Sequence, residues 1–344
     1  MRQQGCEPSF VGAGYCPPDG YGRRAGNSPP LRVEASASAI SSSPCNLCPR
    51  MCGARRDEGE RGVCGADGRM MVARAALHFW EEPPLSGEAG SGAVFFSHCP
   101  LRCVYCQNAM IAAGEVGWEV DVERLAGICL DLQGQGALNV NFVTPTHYSL
   151  LVRDAVATAR SRGLALPVVW NTSGYERVEV VEALADTVDV WLADFKYADP
   201  DLARECSRAA DYPEVALSAI GKMVELAGEP TCDGRGRMTG GVIVRHLVLP
   251  GAVDNSKRAL AALWERFGDA VLYSIMNQYT PVIDHPIFGR PTSPEEYEAV
   301  LDFADGLGIE DYFWQDGPAA AESFIPSWTG EGVLPDKTGN CHNC

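Results

Sequence analysis

Three cysteines within eight residues, Cys99, Cys103 and Cys106, form a Cys-x3-Cys-x2-Cys run directly after the apolar stretch Ala93-Val94-Phe95-Phe96. Thiolates so close in sequence can reach one metal centre from a single loop, and four of them complete the usual protein ligand set of a cubane iron–sulfur cluster. Three therefore leave one iron open. An open coordination position is where a substrate or cofactor binds, as it does at catalytic zinc. A structural zinc with a distant fourth ligand is the alternative, whereas packing alone accounts poorly for three thiols at this spacing.

A second group precedes it: Cys45, Cys48, Cys52 and Cys64, bracketed by Gly and Pro turns. Four thiols at short spacings can close a tetrahedral site with no outside ligand. A structural zinc and an auxiliary iron–sulfur cluster both satisfy that set. The chain ends in Cys341-His342-Asn343-Cys344. Two thiols cannot close a site alone, which leaves a metal-binding tail, a redox pair or no role at all. Cys6 and Cys16 are isolated and read as free thiols, while Cys129 and Cys206 fall on helical stretches and read as core.

The formal charge of −17 argues against a nucleic-acid surface, which needs a basic stripe. No apolar run approaches the roughly 18 residues that cross a bilayer. The first thirty residues hold Arg2, Arg23 and Arg24 but no apolar core, so they do not read as a signal peptide, and the expected location is the cytoplasm. Residues 1–43, rich in Gly, Pro, Ser and Ala, read as a disordered extension. Residues 44–90 form a small cysteine-rich metal-binding segment, 91–318 the main domain, and 319–344 a tail.

What must position the cysteines is an alternation of strands and helices from residue 93 onward. Strands are predicted at Val94–Ser97, Asn139–Val143, Leu166–Trp170, Val188–Ala193, Val242–Leu249 and Val271–Ile275. Apolar stripes at helical spacing lie between them, including Leu125, Ala126 and Cys129, then Val152, Ala155, Val156 and Ala159. One long helical region spans residues 200 to 228, Asp254 reads as a cap, and Ser293-Pro294-Glu295-Glu296 is a capping box. Six such units imply a parallel α/β sheet.

In parallel sheets the active site gathers at the carboxyl ends of the strands. There the sequence places the three cysteines, then Thr144-Pro145-Thr146-His147, Asn171-Thr172-Ser173, Asp194-Phe195-Lys196, Arg245-His246 and Asn277-Gln278-Tyr279-Thr280. Loop tips are polar in any protein. Their joint position on one rim is the stronger signal. His147 reads either as a proton-transfer or substrate group or as a helix cap.

The cysteine run, with Tyr105 before its last member, resembles the cluster loop of the radical S-adenosylmethionine enzymes. Across residues 93 to 317 the order of motifs resembles the activating enzymes of glycyl radical enzymes, among them the pyruvate formate-lyase activating enzyme. The resemblance implies a partial (β/α)6 barrel of the radical SAM type. It implies a 4Fe-4S cluster on Cys99, Cys103 and Cys106, with S-adenosylmethionine on the open iron. That cofactor is cleaved by an electron to a 5′-deoxyadenosyl radical, which abstracts hydrogen from the substrate.

By the same resemblance, Asn171, Ser173, Asp194, Lys196 and His246 contact S-adenosylmethionine, with Lys196 offering an ammonium to its carboxylate. A low-potential donor, a flavodoxin or ferredoxin, and a glycyl radical enzyme as partner are implied as well. Two departures stand out. The Gly-Gly-Glu of many members is replaced here by Thr144-Pro145-Thr146-His147, and the Cys45/Cys48/Cys52/Cys64 group precedes the barrel. With Leu77-His78-Phe79-Trp80-Glu81-Glu82-Pro83-Pro84, the latter resembles an activase-related branch. Radical modification of another peptide or small molecule, and a non-catalytic iron–sulfur or zinc module, are the other readings of the same residues.

Overall fold

The computed structural model describes residues 10–11, 40–315 and 326–334. Cys6, Cys16, Cys341 and Cys344 lie outside these residues, as does most of the segment 1–43. In chain order the first elements are β1 (Phe10–Val11), β2 (Met71–His78), α1 (Pro83–Ser86), β3 (Ser91–Phe96), α2 (Ala109–Ala113) and β4 (Trp118–Glu119). Then come α3 (Val122–Gly134), β5 (Val140–Val143), α4 (Ser149–Ser161), β6 (Val168–Thr172), α5 (Val178–Ala183) and β7 (Val190–Asp194). The rest are α6 (Pro200–Ser207), α7 (Tyr212–Ala227), β8 (Thr231–Cys232), β9 (Met238–Leu247), α8 (Val253–Phe267), β10 (Leu272–Met276), α9 (Pro294–Leu307) and β11 (Tyr312–Gln315).

Strands β3, β5, β6, β7, β9 and β10 are parallel neighbours in that order, and β11 adds a seventh beside β10. The two ends of the sheet do not meet. The fold is therefore a mixed α/β sheet curled into a partial barrel, with helices on its outer face. Strand periodicity explains why this chain makes it: successive side chains point to opposite faces, so one set packs outward and the other lines the lumen. Trp170, Trp191, Val242 and Val244 belong to the large outer core with the helices. Val169, Val190, Leu192 and Ile243 form a separate cluster inside.

The lumen is closed at one end by chain from outside the parallel set. β2 runs antiparallel to β3, so the carboxyl end of β2 lies at the amino end of β3. From there residues 79–90 turn beneath the barrel. α1 starts with two prolines, which fit the first helical turn because no amide hydrogen is needed there. It drives Leu85, fully buried, into the inner cluster. A leucine so placed contributes about 2–5 kcal/mol relative to alanine.

Two expectations are corrected locally. The helical region 200 to 228 is two helices, broken where Arg208 takes a left-handed φ of 51° and Pro213 follows at the start of α7. Asp254 is not a cap: Ala252 holds that position without a side-chain bond, and Asp254 sits in the first turn, where its charge suits the helix dipole. The Ser293 capping box is present with both of its reciprocal hydrogen bonds. Among the described residues no helix is long and apolar enough to cross a membrane.

Candidate active site

The loop after β3 brings Cys99, Cys103 and Cys106 to one cavity at the carboxyl ends of the strands. Two non-glycine residues in it, His98 and Arg102, adopt left-handed φ values of 75° and 50°. Such backbone is strained and must be held by its surroundings. His98 is held by its amide bond to the Ile111 carbonyl and by ring packing over Gly114, where a Cβ would stand 2.1 Å from the imidazole. The Val104 amide donates to the Cys206 carbonyl of α6. The Ser207 hydroxyl donates to Cys103 Sγ at 3.0 Å and is itself bonded to Tyr197, which meets Tyr105 at 2.6 Å.

All three thiols are free. Burial pushes the Cys99 thiol up to about 11 and the Cys106 thiol to about 12, and each is raised further by Cys103 beside it. Cys99 and Cys106 thus resist ionisation until a cation joins them, which is what an iron–sulfur cluster supplies. Among the described residues no three His, Cys, Asp or Glu side chains are grouped tightly enough to share one metal ion. A cubane, in which each thiolate meets a different iron, calls for a wider ring of sulfurs, and the donor set fits it.

Opposite the cysteines stands a buried polar layer. Asn171 and Ser173 on one strand end, and Asp194 and Lys196 on the next, are each two residues apart and face the same cavity. Lys196 Nζ pairs with Asp194 Oδ2. Arg245 donates from Nε to Asp194 Oδ1 at 2.8 Å, from Nη2 to Asn171 Oδ1 at 2.5 Å and from Nη1 to Glu81 Oε2 at 3.3 Å. Asn141 Nδ2 and Asn171 Nδ2 also donate to Glu81 Oε1. Burial opposes ionisation of Asp194, but Arg245 and Lys196 outweigh it and hold the carboxyl below its ordinary value. For Lys196 burial is likewise outweighed, by Asp194 and Cys103, so it stays charged.

The backbone here is locked by Tyr212, whose hydroxyl accepts the Lys196 amide at 2.9 Å and reaches the Ser173 and Asp194 carbonyls at 2.8 and 2.9 Å. Gly174, at φ 76°, permits this approach. A Cβ there would lie 2.3 Å from the Asp194 carbonyl oxygen.

Residues 93–259 match the Radical SAM superfamily. That match spans just under half of the chain, from β3 into α8. Over 294 residues it is 26% identical to an uncharacterised protein of Methanocaldococcus jannaschii, covering 81% of this chain and 79% of that one. Two solved structures are also similar. A radical SAM methyltransferase from Sphaerobacter thermophilus gives a TM-score of 0.47 at 14% identity, over 66% of this chain and 67% of its own. A methylornithine synthase gives 0.42 at 12%, over 74% and 78%.

Of the residues expected to hold S-adenosylmethionine, the barrel brings Asn171, Ser173, Asp194 and Lys196 to the cavity with the cysteines. His246 is not among the lining residues. It is buried on the outer face, bonded to the Phe195 carbonyl at 2.6 Å and to Ser256 Oγ at 2.9 Å. Arg245, its neighbour on β9, faces inward instead. His147 is also away from the cavity, its Nε2 at 2.9 Å from the Ser97 carbonyl. Thr144, with φ 60°, lines the cavity where Gly-Gly-Glu was missed. Glu81 and Glu82, on the chain beneath the barrel, were not foreseen as site residues.

Burial holds His246 down to about 4, against an ordinary 6.5. As pH falls below about 6.5 the unfolded chain takes up a proton that the folded chain refuses, so stability drops until about pH 4 and then levels. Urea midpoints at pH 7 and pH 5 are expected to fall more in the wild type than in His246→Gln. Equal falls in both proteins would show that this imidazole carries no part of the slope.

The four amino-terminal cysteines gather beside the barrel. Cys52 and Cys64 sulfurs lie 3.2 and 3.5 Å from where a Gly62 Cβ would be, and burial, with Cys64 and Cys45 adding, pushes Cys48 up to about 12. Arg50, between them, donates to the carbonyls of Pro100, Ser207 and Arg208, tying this loop to the one that carries Cys99.

Proposed function

We propose that this chain is a radical S-adenosylmethionine enzyme whose Cys99, Cys103 and Cys106 hold a 4Fe-4S cluster. One observation carries the reading: three free thiols and the Lys196–Asp194 pair share a single cavity at the carboxyl ends of the strands. When bound, the cluster and S-adenosylmethionine supply a reductively generated 5′-deoxyadenosyl radical for hydrogen abstraction. Lys196 offers its ammonium to the cofactor carboxylate, and Asp194, Asn171 and Ser173 offer acceptors and donors to its amine and hydroxyls. Ser207 donates to Cys103, and such a bond to a cluster sulfur tunes its potential.

The order of motifs supports a finer proposal, that the hydrogen comes from a glycine of a partner enzyme, as in the pyruvate formate-lyase activating enzyme-like group. A flavodoxin or ferredoxin in the cytoplasm is the proposed electron donor. We propose a second metal, zinc or iron–sulfur, on Cys45, Cys48, Cys52 and Cys64; its support is their short spacing in the sequence, since the fold does not draw three of them close enough to share one ion. Protein reconstituted with iron and sulfide without oxygen, then given dithionite and S-adenosylmethionine, is expected to release 5′-deoxyadenosine and methionine with time. Bound cofactor with no release would replace the enzyme by a non-catalytic iron–sulfur module, and zinc in the 99–106 loop would remove both.

A further inference from the structure

The floor of the cavity holds a carboxylate that the site described above does not use. Both oxygens of Glu82 are buried and find no hydrogen-bond partner among the described residues, although the side chain lines the cavity. Ser274 Oγ, on β10, is also buried and unbonded. It stands beside the Glu82 carboxyl, where its hydroxyl is the nearest side-chain donor and favours the ionised form, at a geometry too poor for a well-formed hydrogen bond. A buried polar group left unpaired costs free energy, and the Ser274 hydroxyl can serve only one of the two Glu82 oxygens, which leaves the other in need of a donor.

Charge bookkeeping specifies the donor. Arg245 on β9, Glu81 on the same loop and Ser274 on β10 act on Glu82 directly, and His78 on β2 with Asp194 and Lys196 on and after β7 line the same cavity. Burial, with Arg74 and Arg245 adding, keeps His78 neutral near neutrality. Arg245 is already bonded to Asp194, Asn171 and Glu81, and Lys196 to Asp194. Two cations therefore face two anions, and ionised Glu82 would be a third. Glu82 and Ser274 present three acceptor atoms together, which match the three N–H bonds of an ammonium and fall short of the five of a guanidinium. Between this floor and the cysteines, Phe95, Val143, Leu247 and Met276 line the cavity with apolar surface.

We propose that the floor binds a primary ammonium carried on an apolar chain, with Glu82 as its counter-ion and Ser274 Oγ as its further acceptor. This rests on the radical reading only in taking that chain to be substrate. In the empty protein burial pushes the Glu82 carboxyl up to about 7, so it carries a proton for much of the time near neutrality. Entry of the ammonium ionises the carboxyl, and that proton leaves to solvent. A free alkylamine and a lysine side chain share this chemistry.

The test is calorimetric titration of the full-length, anaerobically reconstituted protein at pH 6.5, in two buffers of different ionisation enthalpy. The probes are butylammonium, N-acetyl-lysine methylamide and, as a neutral chain one methylene longer, 1-pentanol. At least one ammonium probe is expected to bind more tightly than pentanol by about tenfold or more, with release of part of one proton. The tighter of the two assigns the source as free amine or polypeptide. Glu82→Gln is expected to weaken binding by about thirtyfold or more and to abolish proton release, the cost of breaking a buried charge pair. Ser274→Ala should weaken it by several-fold. Binding of pentanol equal to that of the ammonium probes, binding of neither ammonium probe, or unchanged binding by the folded Gln variant overturns the proposal. Deoxyadenosine release by the wild-type protein is scored separately and tests the radical reading whatever the titration shows.

Discussion

Cys103→Ala is expected to bring 5′-deoxyadenosine release down to the level of enzyme-free controls and to lower the iron of the reconstituted protein by about one cluster. Two thiols, Cys99 and Cys106, would remain, and a cubane held by two side chains has two open irons exposed to chelation and oxidation. The substitution also removes the acceptor of the Ser207 hydroxyl and so slackens the contact between the cluster loop and α6. The expected loss exceeds the roughly 10–100-fold that follows removal of an outer-shell partner. Cys129→Ala is the matched control, because that thiol is buried in α3 among core residues. It should leave the iron content where it was. Wild-type iron and wild-type release in Cys103→Ala would remove this residue from the ligand set.

Arg245→Met is expected to destabilise the protein by about 3–5 kcal/mol at pH 7, the usual cost of stranding a buried charge. The guanidinium is shared among Asp194, Glu81 and Asn171, so its loss leaves two carboxylates facing one ammonium, Lys196. Burial already holds the Glu81 carboxyl above its ordinary value beside Arg245, and without that counter-ion both carboxyls would titrate above their unfolded values. The deficit should therefore shrink as pH falls from 7 toward 4.5, where the folded variant binds protons that the unfolded chain does not yet hold. Adding Glu81→Gln should return part of the loss, because it neutralises one of the stranded charges. Urea midpoints of the three proteins across that pH range measure both effects. A single variant within about 0.5 kcal/mol of wild type would mean that solvent reaches this layer and screens it.

The barrel was readable from the sequence because its strands obey one rule and its helices another. The apolar run before Cys99 and the stripe through Leu125, Ala126 and Cys129 announce a buried strand and a half-buried helix with little ambiguity. β11 escaped notice because four residues, Tyr312-Phe313-Trp314-Gln315, are too short to show a period. β2 escaped for a different reason. Its residues are buried at consecutive positions, so Val72-Ala73 and Ala75-Ala76 do not alternate with polar neighbours.

At the site, the same strand rule separates what was legible from what was misread. Asn171 with Ser173, and Asp194 with Lys196, stand two apart and share a face, as sequence spacing alone requires. Arg245 and His246 are adjacent on a strand, so only one of them can face the lumen. Alternation would have marked the pair as an either-or, and only the three-dimensional register places Arg245 opposite Asp194. Glu81 and Glu82 were visible as two acids before two prolines. Nothing local tells that such a turn tucks beneath a barrel, because that depends on β2 pairing antiparallel with β3.

That tucked turn divides the labour of the molecule between independent lengths of backbone. The groups assigned to the reactive centre hang from the repeating strand–helix units, while Glu82, proposed to meet the far end of a bound molecule beside Ser274 of β10, rides on one short insert outside the parallel strand pairing. Changing Glu82 alone would retune which molecules are admitted, provided Glu81 and Leu85 of the same insert stay to hold Arg245, Asn171 and the inner core.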